Sequence, residues 1–191
     1  MEIACNVIRQ APLIAELVNL ATAQSRGGAP VQPPQGDELT EAFAANVSAS
    51  QREALQAAAD AGDRLGELAA QLRAALVAAS PADTAAAINA MIRRYGAQPY
   101  LVEDVGQPFH LHFHGSERDP VDALGGEFAA ALALIVDGYG AGRFGRCEAS
   151  RCDAVYVDLT RNGSRRFCSA PCTARAKTAA YRARRGGESV S

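Results

Sequence analysis

Four of the five cysteines lie in one stretch, Cys147-x4-Cys152-x15-Cys168-x3-Cys172, as two close pairs separated by a loop. A structural zinc site needs four soft ligands arranged as a tetrahedron with no position left open, and paired knuckles supply them with little loop strain. A unit of some forty residues buries too little apolar surface to be stable alone. A metal cross-link is the usual remedy. The reading is therefore one structural Zn²⁺ per chain, held by Cys147, Cys152, Cys168 and Cys172. Two disulfides would use the same spacing if the chain were exported, but no basic segment followed by an apolar stretch opens the sequence. Iron–sulfur ligation is disfavoured by the unequal pairs and the lack of a close cysteine run. Four thiolates close the shell, which argues against a catalytic zinc.

All three histidines, His110, His112 and His114, alternate along one short segment. In a strand they share one face, with Leu111 and Phe113 on the other. Such a face is a candidate ligand-binding site for a transition metal, an anion or a small-molecule effector. The plainer alternative is a polar strand face that pairs with acids such as Glu103 or Asp104. No nucleophile or carboxylate pair stands beside it, so the chain is not read as an enzyme.

Charge is divided unevenly. The formal net charge of −2 conceals residues 141–191, where eleven basic residues face four acidic ones for a balance of +7. Arg161, Arg165 and Arg166 fall near a turn. Arg175, Lys177, Tyr181, Arg182, Arg184 and Arg185 fall on a helical stretch with Ala176, Ala179, Ala180 and Ala183. Cations with an aromatic among them suit phosphate contact and stacking, and arginine adds bidentate recognition. These nine residues are the candidate nucleic-acid contacts, for DNA or alternatively RNA. Docking of the same cations on an acidic protein surface is the competing interpretation, which would make the chain a zinc-stapled adaptor.

The elements that must position these groups read as mostly helical. Pro12 opens a helix through Leu13, Ile14, Leu17, Val18 and Ala21, and the breaker-rich residues 25–36 form a loop. A second helix spans 37–47, capped by Asp37 or Thr40. Leu55, Leu65, Leu68, Leu72 and Leu76 suggest one long helix from Ser50 to Ala79, and Ser80 caps another over 83–95. Pro99–Asp104 and Phe109–His114 form a β-hairpin, and Pro120 opens an apolar helix ending near Gly138. The glycine-rich stretch 138–145, where the charge changes sign, is the expected boundary. In the tail, Ala154–Asp158 and Arg165–Phe167 read as strands joined by an Asn162-Gly163 turn. Ser169 caps a helix to about Arg185 whose alanine face packs on the knuckle beside Cys172.

The stretch Arg146-Cys147 to Cys152, Val157-Asp158, Asn162-Gly163-Ser164-Arg165-Arg166-Phe167-Cys168-Ser169, Cys172 and Ala179 to Arg185 resembles the CGNR zinc-finger family. Its naming motif appears here as Cys172-Thr173-Ala174-Arg175. Members carry an N-terminal ABATE domain and are described as stress-induced transcription regulators. Residues 1–140 resemble that domain in Val18-Asn19-Leu20-Ala21-Thr22 and in the histidine strand. The resemblance implies Zn²⁺ at the four cysteines and DNA binding by the arginines. The expectation is thus an α+β, mostly helical chain. Residues 1–140 form a helical sensing or oligomerisation domain with a small antiparallel hairpin, 141–186 a treble-clef-like zinc module, and 187–191 a disordered tail. A small-molecule effector and a homodimer are expected partners. No stretch is apolar enough to span a membrane, and the location is expected to be cytoplasmic.

Overall fold

In the computed structural model the described residues are 5–103, 109–115 and 119–187, with the side chains of Cys5, Asn6, Ile8, His110 and His114 outside that description. Among them are seven α-helices and three two-stranded antiparallel pairs. The helices are α1 Cys5–Thr22, α2 Gly36–Ala44, α3 Ala49–Ala57, α4 Ala61–Leu76, α5 Pro81–Tyr95, α6 Pro120–Tyr139 and α7 Ala170–Gly187. The strand pairs are β1 Ser25–Arg26 with β2 Ala29–Pro30, β3 Gln98–Val102 with β4 His110–His114, and β5 Phe144–Arg146 with β6 Val155–Val157. The α+β, mostly helical class is as expected from the sequence. Among the described residues no helix is long and apolar enough to cross a membrane.

The long helix expected over Ser50–Ala79 is two helices, broken where Ala58 takes an extended backbone (φ −88°, ψ 120°). The reason lies in the leucine phases. At 100° per residue, a straight helix would hold Leu55 roughly 95° from the centre of the Leu65, Leu68, Leu72 and Leu76 stripe. The break turns Leu55 inward, and all five leucines are buried. Gly62 sits in the first turn of α4 against the Gly36 backbone, where a Cβ would come within 2.6 Å of the Gly36 Cα.

Smaller differences have equally local causes. Pro12 is exposed inside α1 rather than in its first turn. Gln35, not Asp37 or Thr40, precedes α2, and Asp37 instead lies in its first turn, where an acid favours the helix dipole. The loop at 25–36 contains the β1–β2 pair, whose turn is Gly27-Gly28 at φ +61° and +97°; two successive positive φ angles favour glycine, which has no Cβ to clash. Ser80 caps α5 by accepting from the Asp83 N–H, and Asp119 caps α6 by accepting from Val121 and Asp122. Gly187 ends α7, and residues 188–191, which hold most of the expected disordered tail, lie outside the described residues.

The core collects Ile14, Leu17 and Val18 of α1, Leu39 and Phe43 of α2, the α4 leucines, Ile88 and Met91 of α5, and Phe128, Leu132 and Ile135 of α6. Val155 and Val157 of β6 belong to this same cluster, at 1% and 5% exposure. The strand that follows the first cysteine pair is therefore packed into the helical body. Burying a valine stabilises by about 1.5–3 kcal/mol, so this strand contributes materially to the seam.

Candidate metal centre and its cationic helix

The metal site is assembled at the tip of a hairpin. β5 leads into Cys147, the chain turns through residues 148–151 to Cys152, and β6 returns antiparallel in the register Arg146↔Val155. The Cys147 N–H donates to the Ala154 carbonyl at 2.8 Å, closing the knuckle. Arg151 takes a positive φ of 51° in that tight turn. The second pair comes from the start of α7. Ser169 caps the helix, its Oγ accepting from the Cys172 N–H, so Cys168 precedes the helix and Cys172 lies in its first turn.

The four sulfurs lie within 4.8 Å of one another, and Cys147, Cys152 and Cys172 are buried. Cys152 to Cys168, Cys168 to Cys172 and Cys172 to Cys152 are separated by 3.8, 3.7 and 3.8 Å. A tetrahedron with zinc–sulfur bonds of about 2.3 Å has sulfur–sulfur edges of about 3.8 Å. The separations are far from a disulfide bond of about 2.0 Å, and the space suits a single ion rather than a multi-iron cluster. Burial pushes the Cys147 and Cys168 thiols up. For Cys172 burial acts the same way, but the Ser169 hydroxyl and the neighbouring thiols outweigh it and bring the thiol down to about 7. Thiols crowded in this way cannot all ionise without a cation among them, and a divalent ion supplies that charge.

The return strand expected at Arg165–Phe167 is absent; the partner of β6 is the upstream Phe144–Arg146. The Asn162-Gly163 turn does form, with Gly163 at φ +58°. What replaces the strand is a loop wound around Asp158. This buried carboxylate accepts from the Thr160 and Arg165 N–H groups, both at 2.8 Å. Those hydrogen bonds use the backbone donor of Arg165 that a strand would need. Burial pushes the Asp158 carboxyl up, but its hydrogen bonds and the Arg143 charge hold it below the ordinary carboxylate range.

The nine proposed nucleic-acid residues divide into two groups. Arg165 is turned onto its own loop, donating to the carbonyls of Phe167 (3.0 Å), Cys168 (2.7 Å) and Val157 (3.3 Å). Arg166 pairs with Glu148, and Arg175 donates to the Ser150 carbonyl at 2.7 Å. By contrast Arg161, Lys177, Arg182 and Arg184 are exposed and have no ion-pair partner among the described residues. Tyr181 is 53% exposed, with the Arg185 guanidinium 5.8 Å from its ring centroid.

The alanine face does not pack as the helical wheel suggests. Cys172 is buried and Ala176 half-buried, but Ala179, Ala180 and Ala183 are exposed. Burial along α7 ends at Ala176, about one turn past Cys172, whereas Ala183 stands about 16 Å beyond Cys172 at 1.5 Å per residue. The outer half of α7 consequently projects from the body as a cationic rod.

On the histidine strand, β3 and β4 pair as expected, with Tyr100 opposite His112 and Leu101 opposite Leu111. Half-buried His112 lines a cleft of about 630 Å³ with Arg9, Gln10, Ser48, Gln51 and Glu127. His110 and His114 occupy alternate backbone positions on either side, and their side chains, like Asp104, lie outside the described residues. Leu101 and Leu111 are 65% and 41% exposed.

Other residues important to the site were given no role by the sequence, although Asn19 falls within the Val18–Thr22 stretch noted above. Asn19 of α1, buried at 6% exposure, donates through Nδ2 to the Val155 carbonyl (3.0 Å) and accepts at Oδ1 from the Val155 N–H (2.7 Å). It serves the free edge of β6 as a neighbouring strand would. Asp153 accepts from the Gln24 and Ser25 N–H groups at 3.2 and 3.0 Å, and Arg73 donates to the Asp153 carbonyl at 2.9 Å. The legible signal was the scarcity of acids in the basic half. Glu148, Asp153 and Asp158 are each engaged internally, which leaves the exposed charge positive.

Residues 143–185 match the family model of the CGNR zinc finger. No curated protein matches the chain. Sequence match and sulfur geometry agree on a zinc-finger module that carries one structural Zn²⁺ on Cys147, Cys152, Cys168 and Cys172.

Proposed function

We propose that this chain is a DNA-binding transcription regulator, not an enzyme, in which zinc fixes the base of α7 so that its outer half engages the phosphate backbone. The observation that carries this reading is the projecting helix itself. Lys177, Arg182 and Arg184 are exposed, Arg185 is held against the Tyr181 ring and hydroxyl, and no acid occurs between Ala170 and Gly187. Tyr181 offers a stacking or hydrogen-bonding group in the same turn, Arg161 adds a cation from the loop, and small alanines permit close approach of the helix to a groove. Arg165 and Arg166 serve the module's own loop in this scheme. The N-terminal helices are read as an ABATE-like sensing domain, with the cleft beside His112 as the place for an effector and stress response as the context.

Each phosphate neutralised releases counterions and contributes about −0.9 to the log–log slope of affinity against salt on duplex DNA. Contacts from Arg161, Lys177, Arg182 and Arg184 predict a slope of about −3.6. Fluorescence anisotropy with mixed-sequence duplex across a salt series measures it. Replacing Lys177, Arg182 and Arg184 by Ala in the zinc-loaded protein should flatten the slope to about −0.9. An unchanged slope refutes the reading, and tighter binding to RNA at equal salt would redirect it from DNA.

A further inference from the structure

We propose that Arg175 is a positioning residue of the zinc site, clamping the knuckle, the helix and the distant β1–β2 turn together rather than meeting a phosphate. Three contacts converge on its half-buried guanidinium. Nη2 donates to the Ser150 carbonyl at 2.7 Å, gripping the loop between Cys147 and Cys152. Nη1 points to the Cys172 Sγ at 3.8 Å, an outer-shell hydrogen bond to a metal ligand. The group also lies directly over Gly28, where an added Cβ would stand 2.6 Å from Cζ and 3.0 Å from Nε.

The floor beneath the guanidinium is fixed from the other side. Asp153, adjacent to ligand Cys152, accepts from the Gln24 and Ser25 N–H groups, and its own N–H donates to the Ser25 carbonyl at 3.1 Å. The β1–β2 turn is thus pinned to the first cysteine pair through Asp153 and covered from the second pair by Arg175. Residues more than 120 positions away in the chain form a wall of the metal's outer shell. The chemistry calls for arginine, because a planar fork can reach a carbonyl and a sulfur at once while an ammonium concentrates its charge at one point. The same geometry explains the glycine at 28, for which φ of +97° is only part of the requirement.

Outer-shell partners of metal ligands are typically worth 10- to 100-fold in metal affinity. Zinc affinity of the full chain, measured by competition with a chromogenic chelator, is the readout, and it does not depend on whether α7 binds DNA. Arg175→Ala should weaken zinc binding about 10- to 100-fold, and Arg175→Lys should recover only part of the loss. Arg182→Ala should leave zinc affinity unchanged. Gly28→Ala should weaken zinc binding in the wild-type background and do so distinctly less when Arg175 is already Ala. The backbone strain of Gly28→Ala is common to both backgrounds and cancels from this cycle. Zinc affinity within about twofold of wild type for Arg175→Ala, or strictly additive effects at 28 and 175, overturns the assignment. In the DNA assay at saturating zinc, Arg175→Ala should keep the wild-type salt slope; a slope reduced by about 0.9 would make Arg175 a phosphate contact instead.

Discussion

Replacing Asn19 by Ala tests how the zinc module is joined to the helical body. The Asn19 amide makes two hydrogen bonds to one residue, at 3.0 Å to the Val155 carbonyl and 2.7 Å from the Val155 N–H, in a buried setting. Truncation removes both and leaves two buried backbone groups without a partner. Each such group costs about 1–3 kcal/mol, so the expected loss is about 2–5 kcal/mol once partial rehydration at the seam is allowed. Against a total stability of about 5–15 kcal/mol this is a severe change. For a chain of this size it corresponds to a fall in melting temperature of about 4–20 °C. Urea unfolding of the zinc-loaded protein followed by far-ultraviolet circular dichroism measures the loss. Asn19→Asp keeps an acceptor for the Val155 N–H but sets a second acceptor against the Val155 carbonyl in a buried site, so it should destabilise as well. A cost below about 1 kcal/mol for Asn19→Ala would refute the reasoning, because the two bonds would then not be holding the strand.

Three further outcomes follow from the same structure. Gly62→Ala should destabilise by more than about 2 kcal/mol in urea unfolding, since the added methyl meets the backbone of Gly36 and not a flexible side-chain end that can move aside. Chelation should lower the melting temperature of the helical body as well as of the tail, because Val155 and Val157 lie in the main core; metal analysis should find one zinc per chain, lost in Cys168→Ser. For Asp153, burial pushes the carboxyl up, but the Ser25 and Gln24 N–H groups and the Arg73 charge prevail and hold it below the ordinary carboxylate range. A lowered folded value stabilises above the unfolded pKa of about 3.9 and is lost as pH falls through the folded value. Asp153→Asn should therefore be less stable than wild type at pH 6, with the gap closing as pH falls below about 4; a gap that stays constant would contradict this account.

The sequence by itself determined the chemistry of the tail and the kinds of local element. Cysteine spacing is a covalent fact about loop lengths, so the ligand set was legible without coordinates. Cap residues such as Ser80 and Ser169 act within a few positions of themselves, and the structure places them at the helix starts they signal. The β3–β4 hairpin was equally legible, because alternation of side chains is a local property of a strand. Tertiary structure alone decided the rest. The phase offset of Leu55 and the glycines at 62 and 66 stand in the sequence, but only the direction of the shared core decides that the helix breaks at Ala58. No local pattern pairs Val155 with Phe144–Arg146 rather than with residues 165–167, and it is the buried Asp158 that takes the backbone donor the alternative strand required. Helical periodicity placed the alanines of α7 on one face, yet burial along the helix ends at Ala176. The arginines illustrate the point most directly. All carry the same charge in the sequence, but carbonyls and acids brought together by folding engage Arg165, Arg166 and Arg175, while Arg161, Lys177, Arg182 and Arg184 remain exposed to solvent. A hydrogen bond is satisfied by whatever group the fold delivers within about 3 Å, and distance in space is the quantity that a linear sequence does not record.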